Sequence, residues 1–512
     1  MIGLATALAQ AQLPPTEDLP TPNVEFVGIG PEVAVAGAAL VIVALLSLAH
    51  RWPVLRRSTL GIGIVGLLTG GFFAVQAWDE VTDVGGYETL AGMVAVDGFA
   101  VFLKVVVLGA TLVGLLLADG YLRRENLDAG AYHALILLSA SGMLMMASAN
   151  DLIVVFLALE VLSIALYVLA AFHRQRVESE EAGLKYFVLG AFSSAVFLYG
   201  VAFVYGATGT TSLTGIAQFL AETALTQNVG LLIGIALLVV GLGFKVSAVP
   251  FHMWTPDVYQ GAPTPVTAFM ASGTKVAAFG ALLRVLVAAL ESYQLDWQPI
   301  VWVLAALTMV VGSVLAIVQS DVKRMMAYSS ISHAGFILIG VQVASDEGVS
   351  AVLSYLLAYT FIVLGTFTVV TLMSRRGDVG HDLDDYRGLS TRRPVLAALF
   401  TVLLLAQAGI PLTSGFVAKL TVFRAAVDGE QYGLVILGVL VSVVAAFVYL
   451  RVLVASYMSS AEGDGETAAV GGGLRVDLGS GIALGVAVAV TLAMGILPNV
   501  FLDFADRATL LF

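Results

Sequence analysis

The chain has 512 residues, of which 59% are hydrophobic and only 12% charged, and its mean hydropathy is +0.96. A water-soluble globule cannot carry that balance, so the composition describes a polytopic membrane protein. The net charge of −12 offers no basic field for nucleic acid. The absence of cysteine excludes disulfides, thiolate nucleophiles and cysteine-held iron–sulfur or zinc sites in this chain.

Residues 1–28 lack the basic n-region and strong apolar core of a signal peptide and read as an outer tail. A membrane helix needs roughly 20 apolar residues to cross about 30 Å of hydrocarbon, and fourteen such runs follow. Three fill 29–131, near 29–49, 58–78 and 96–118. Five fill 132–290, near 132–148, 151–171, 183–206, 229–259 and 264–289. Five more fill 291–458, near 299–319, 324–343, 349–374, 394–426 and 432–458. A Gly-, Ala- and acid-rich linker, 459–477, leads to the last run, 478–504, within 478–512. The runs are long and continuous, not alternating over about ten residues, so the fold class is an all-α polytopic membrane protein and not a barrel. Basic residues collect in the odd-numbered connections, from Arg51, Arg56 and Arg57 in the first to Arg375, Arg376, Arg387, Arg392 and Arg393 in the eleventh. The even-numbered connections have none, so the odd side is cytoplasmic and both termini lie outside.

Five of the six lysines, Lys104, Lys185, Lys245, Lys275 and Lys419, fall inside these runs, and only Lys323 falls in a connection. A lysine at mid-bilayer costs a few kcal/mol, so a set of them marks charge handled inside the membrane. Two runs are also interrupted. The seventh reads GLGFKVSAVPFHMWTPDVY, with Pro250 five residues after Lys245, and the twelfth reads LLLAQAGIPLTSGFVAKL, with Gly409 and Pro411 ahead of Lys419. Proline removes a helix hydrogen bond, and backbone freed at membrane depth persists only where protein or water satisfies it. Corresponding broken helices in two halves are the sequence mark of an inverted-repeat transporter with sites near the midplane; the plain alternative is a pair of ordinary proline kinks. Glu160, in the middle of the fifth run, has no sequence neighbour to neutralise it. Burial penalises the charged form of a carboxylate and of an amine, while an opposite charge favours it, so a Glu–Lys pair can be poised to exchange protons. A static ion pair that sets helix register is the competing reading.

The stretch VPFHMWTPDVYQGAPTPVTAFMASGTK, residues 249–275, resembles the seventh- and eighth-span signature of the antiporter-like subunits of proton-pumping NADH:quinone oxidoreductase, respiratory complex I. FLALEVLSIALYVLAAF, KYFVLGAFSSAVFLYG, DVKRMMAYSSISHAGF and AGIPLTSGFVAKL resemble the N type of these subunits, and the likeness covers nearly the whole chain. The resemblance implies two inverted repeats with discontinuous helices 7 and 12. It implies that Glu160 pairs with Lys245, that Lys185 modulates the pair, that Lys275 is the central lysine of the eighth span, and that Lys419 belongs to the exit half-channel. It also places His333 as a polar bridge between the halves, a role suited to neutral imidazole, which donates and accepts at once. Lys104 has no counterpart among these positions; Asp97, seven residues earlier, or a neighbouring subunit would neutralise it. His252, Trp254, Asp257 and Tyr259 would shape the mouth of the first break. Ser247, Thr274, Tyr328 and Tyr449 are left out, because such hydroxyls in membrane helices mostly bond to backbone or neighbouring helices.

The function so implied is proton translocation in a hetero-oligomer within a bacterial cell membrane, driven by quinone reduction elsewhere. No cofactor or metal is expected in this chain; NADH, FMN, iron–sulfur clusters and quinone would belong to partner subunits, with K and M types adjacent. Two alternatives stand beside it: a cation/proton antiporter subunit of the Mrp type, and an assembly scaffold whose buried charges are structural.

Overall fold

The computed structural model describes residues 24–48, 58–223, 228–458 and 476–510. Most of the expected tail 1–28, the basic residues Arg51, Arg56 and Arg57, and nearly all of the linker 459–477 lie outside the described residues. The opening helices are α1 (Phe26–Leu48), α2 (Thr59–Val84) and α3 (Gly98–Glu125), with an antiparallel hairpin of β1 (Tyr87–Thr89) and β2 (Val94–Val96) before α3. There follow α4 (Ala129–Ser148), α5 (Leu152–Ala170), α6 (Val177–Thr208), a surface helix α7 (Leu213–Glu222), α8 (Val229–Val246), the half-helix α9 (Trp254–Gly261) and α10 (Thr264–Ala289). The second half holds α11 (Gln294–Ile317), α12 (Val322–Val343), α13 (Asp346–Met373), α14 (Pro394–Ala408), α15 (Ser414–Asp428) and α16 (Tyr432–Met458), and α17 (Leu478–Ile496) and α18 (Pro498–Asp506) close the chain. Among the described residues 13 helices are long and apolar enough to cross a membrane. The broken pair α14 and α15 makes the fourteenth crossing, since α14 alone has only 15 residues.

Many helix starts are written in short polar side chains. Asp97, Asp128, Asp151 and Asp321 each accept a backbone N–H in the first turn of α3, α4, α5 and α12, satisfying donors that the helix itself cannot. Two of these caps expose the inverted repeat. Ahead of α5, the Leu152 N–H donates to Thr211 O and the Leu213 N–H to Asn150 O; ahead of α12, Val322 donates to His381 O and Leu383 to Ser320 O. Each residue lies 170 positions from its counterpart. The first bridge joins even-numbered connections and the second odd-numbered ones, so the same motif recurs on opposite membrane faces.

The interior is built from the helices that carry polar groups. The most apolar stretch of α10 is wholly buried and those of α12 and α13 are 94% buried, whereas those of α2 and α16 are only 33% buried. Lipid offers helices no hydrophobic reason to associate, so close packing of small residues does the work. At the α11–α12 crossing, a Cβ on Gly312 would stand 2.5 Å from Ser332 N, and one on Gly335 would stand 2.5 Å from Met309 N. Both glycines are therefore required for the contact that aims Ser332 and its neighbour His333 inward.

α10 departs from the continuous helix that its apolar run predicts. The span is not a plain helix: π-helical segments at Met270–Thr274 and Arg284–Ala289 flank an α-helical segment, Lys275–Leu283. Such π turns cluster at functional sites.

Candidate functional site

The first break forms as expected. α8 ends at Val246, with Ser247 in the left-handed region at φ 67°, and the chain resumes as α9 at Trp254. Lys245 lies in the last turn of α8, where the carbonyl end of the helix favours a cation. Its ammonium donates to Ser163 Oγ at 2.7 Å and Tyr186 OH at 3.0 Å and sits over the Tyr186 ring. Tyr186 in turn stacks on Trp254, ring centroids 4.7 Å apart, so Lys245 is coupled to the half-helix through two aromatic side chains.

Glu160 does not pair directly with Lys245. Its Oε1 is buried and takes no hydrogen bond, and Ser163, one turn further along α5, occupies the lysine instead. The reason is reach: α5 presents Ser163 to α8, while Glu160 sits beside Leu157, Val161 and Ile164, which are exposed on the outer face of the helix. Lys185 is not at this pair either. Its side chain is 42% exposed and bonds Glu181 at 2.6 Å and Asp257 at 2.8 Å. Asp257 also holds Arg324 at 2.7 Å, so α6, α9 and α12 meet at one carboxylate in a polar cavity of about 460 Å³ on the arginine-rich side.

The central array is continuous from α10 to α16. Lys275 donates to Ser330 O and lies over the ring of Tyr359, whose hydroxyl donates to Ser330 Oγ at 2.7 Å. The Tyr359 ring packs on His333 at 5.1 Å between centroids. His333 Nδ1 meets Tyr355 OH at 2.7 Å and Nε2 meets Tyr449 OH at 3.3 Å. Tyr449 OH shares a hydrogen bond with Ser329 Oγ, which reaches Gln407 Oε1 at 3.1 Å. The second break follows at once: Gly409 closes α14 in the left-handed region at φ 87°, and Lys419 Nζ donates to Ala408 O at 3.0 Å. A Cβ on Gly409 would stand 2.9 Å from Lys419 Cδ, so glycine here serves both the backbone turn and the lysine's approach. Lys419 also lies over the Phe336 ring, one turn from His333.

Lys245, Lys275 and Lys419 are 3%, 1% and 6% exposed, and each rests on a hydroxyl, a carbonyl or an aromatic face where a carboxylate would neutralise it. Ser163, Tyr186, Ser330, Tyr355, Tyr359, Gln407 and Tyr449 were not singled out in the sequence, and Tyr449 was set aside. Hydroxyls and amides are common in membrane helices, and only the fold shows which of them converge.

Other buried charges form structural pairs. Lys104 bonds Glu32 of α1 at 2.7 Å and Gly28 O at 2.8 Å, not Asp97. Asp97 instead takes Arg284 through two hydrogen bonds, of 2.9 and 2.7 Å, while capping α3. Lys323, read as a connection residue, is fully buried in the first turn of α12, 2.7 Å from Ala262 O and 3.4 Å from Asp378. Asp378, in the loop after α13, also receives Arg176 at 3.1 Å and Thr264 Oγ1 at 2.7 Å. Burial alone would raise its pKa, but Lys323, His381 and Thr264 hold the carboxyl well below the ordinary carboxylate range. Among the described residues no group of His, Asp and Glu is placed to hold a metal ion.

Two broken membrane helices, an inverted repeat and a buried lysine array define an antiporter-like membrane subunit. The family described as NADH:quinone oxidoreductase/Mrp antiporter, TM matches residues 149–445, and the chain belongs to that family. A relative from Trichlorobacter lovleyi named NADH-quinone oxidoreductase subunit N is 42% identical, covering 87% of this chain and 90% of its own length. One of the same name from Mycobacterium bovis is 43% identical over 96% of this chain and 99% of its own. In the structure of respiratory complex I from Thermus thermophilus with bound Aureothin, one chain superimposes with a TM-score of 0.73 at 33% identity, covering 92% of this chain and 98% of that one. A chain of the Mrp complex from a Dietzia species shares the fold, with a TM-score of 0.79 at 22% identity over 94% of this chain and 97% of that one.

Proposed function

We propose that this protein is the N-type subunit of a bacterial NADH:quinone oxidoreductase and translocates protons across the cell membrane, powered by quinone reduction in other subunits. The observation that carries the reading is the file of side chains from Lys275 through Tyr359, His333, Tyr449 and Gln407 to the second helix break beside Lys419. Lys275 is the central carrier and Lys419 the carrier next to the outlet. His333 transfers protons between them, and Lys245, held by Ser163, gates loading together with the charge of Glu160 one turn away on α5. Lys185 acts from further out: with Asp257 and Arg324 it lines the polar cavity from which protons enter. The arginine-rich side is cytoplasmic, both termini face outward, and K- and M-type subunits are the neighbours. High identity to relatives named as subunit N favours this reading over an Mrp antiporter, for which the likeness is one of fold.

The test is Lys275→Ala in native membranes, with assembly checked by native gel. Assembled complex that has lost proton pumping and oxidises NADH more slowly supports the relay. Assembled complex that pumps normally removes Lys275 from it and favours the scaffold.

A further inference from the structure

We propose that the lateral groove among α4, α5 and α6 on the arginine-rich side binds one aminophospholipid, its phosphate held by Arg174 and its ammonium by Asp128. The groove encloses about 840 Å³, more than the polar cavity at Asp257. Its wall is apolar and exposed on the flank of the chain: Val168, Leu184 and Phe187 are 48%, 64% and 53% exposed, and Leu135 lies opposite on α4. Phe187 is ten residues into α6, which at 1.5 Å per residue sets the depth at about 15 Å. That is half of the roughly 30 Å hydrocarbon core, the reach of one leaflet's acyl chains.

The mouth supplies both halves of a zwitterion. Arg174 and Gln175, in the connection between α5 and α6, line it, and among the described residues their side chains take no hydrogen bond or ion pair. Arg176, two positions on, behaves oppositely and turns inward to Asp378. Asp128 uses Oδ1 to cap α4, accepting from Gly130 N at 3.0 Å and Ala131 N at 3.2 Å, and Oδ2 takes no hydrogen bond among the described residues. A cation alone at headgroup level would select anionic lipid. A cation and a carboxylate together match a phosphate and an ammonium on one headgroup.

The experiment uses the assembled complex in nanodiscs doped with photoactivatable phosphatidylethanolamine. Adducts should appear in segment 167–187, fall about tenfold in Arg174→Glu, and return in Arg174→Lys. Asp128→Asn should let photoactivatable phosphatidylglycerol compete. Should Arg174→Glu fail to assemble, Arg174→Gln gives the same reading. Adducts indifferent to residue 174 would overturn the proposal, as would a photocrosslinker at Leu184 that captures another subunit in place of lipid. Neither result bears on proton pumping, so this inference and the functional reading fail separately.

Discussion

Removing one member of the Arg284–Asp97 pair separates structural charge from transported charge. In Arg284→Met, Asp97 loses the two guanidinium hydrogen bonds of 2.9 and 2.7 Å while it still caps Ala100 N at 2.7 Å and stays 2% exposed. Losing one partner of a buried pair costs about 3–5 kcal/mol. At about 1.4 kcal/mol per decade, that is roughly a hundred- to several-thousand-fold on the native population of this subunit. Asp97→Asn added to Arg284→Met keeps an acceptor for the cap and removes the buried charge that Arg284 had answered, so the double variant should return to within about 1 kcal/mol of the native protein. Thermal loss of so large a complex is irreversible, so the measurement is the rate at which assembled complex disappears on a native gel at fixed temperature. The double variant should both assemble and pump. A double variant as unstable as Arg284→Met would refute this charge-pair argument, and one that assembles without pumping would show that the pair carries transported charge.

Ser163→Ala removes a hydrogen bond to a charged group, about 1.5–3 kcal/mol, and should slow coupled NADH oxidation roughly ten- to hundredfold in assembled complex; an unchanged rate would free Lys245 from Ser163. His333→Ala should abolish pumping while Tyr355→Phe, which spares His333 Nε2 and its Tyr449 contact, should leave about a tenth or more of it; equal losses would place the route elsewhere. Asp378 has a depressed pKa in the folded protein, so its contribution is complete above the ordinary value of 3.8 and is lost as pH falls through the lower folded value. Asp378→Asn should therefore destabilise the complex at neutral pH and flatten its stability profile below about pH 4; an unaltered acid profile would mean that the Arg176, Lys323 and His381 contacts contribute nothing net.

The sequence by itself determined the membrane class, the number of crossings, both helix breaks and which lysines are buried near them. These are local properties: apolar run length, Pro250, Gly409 and Pro411, and aspartates at helix starts are read without knowing what packs on them. Tertiary structure decided the partners. The distance from Asp97 to Lys104 along one helix face suggested a pair, yet each charge found a closer partner on another helix, Arg284 and Glu32. Glu160 and Lys245 fell in helices that do meet, but rotation of α5 gave the contact to Ser163. Lys323 looked like a surface cation until the loop carrying Asp378 folded over it. The tyrosines around His333 come from α13 and α16, and nothing in either segment distinguishes them from ordinary packing residues. Hydrogen bonds and ion pairs act over a few ångströms, so which side chains share them depends on helix rotation and crossing, and those are set by the whole bundle.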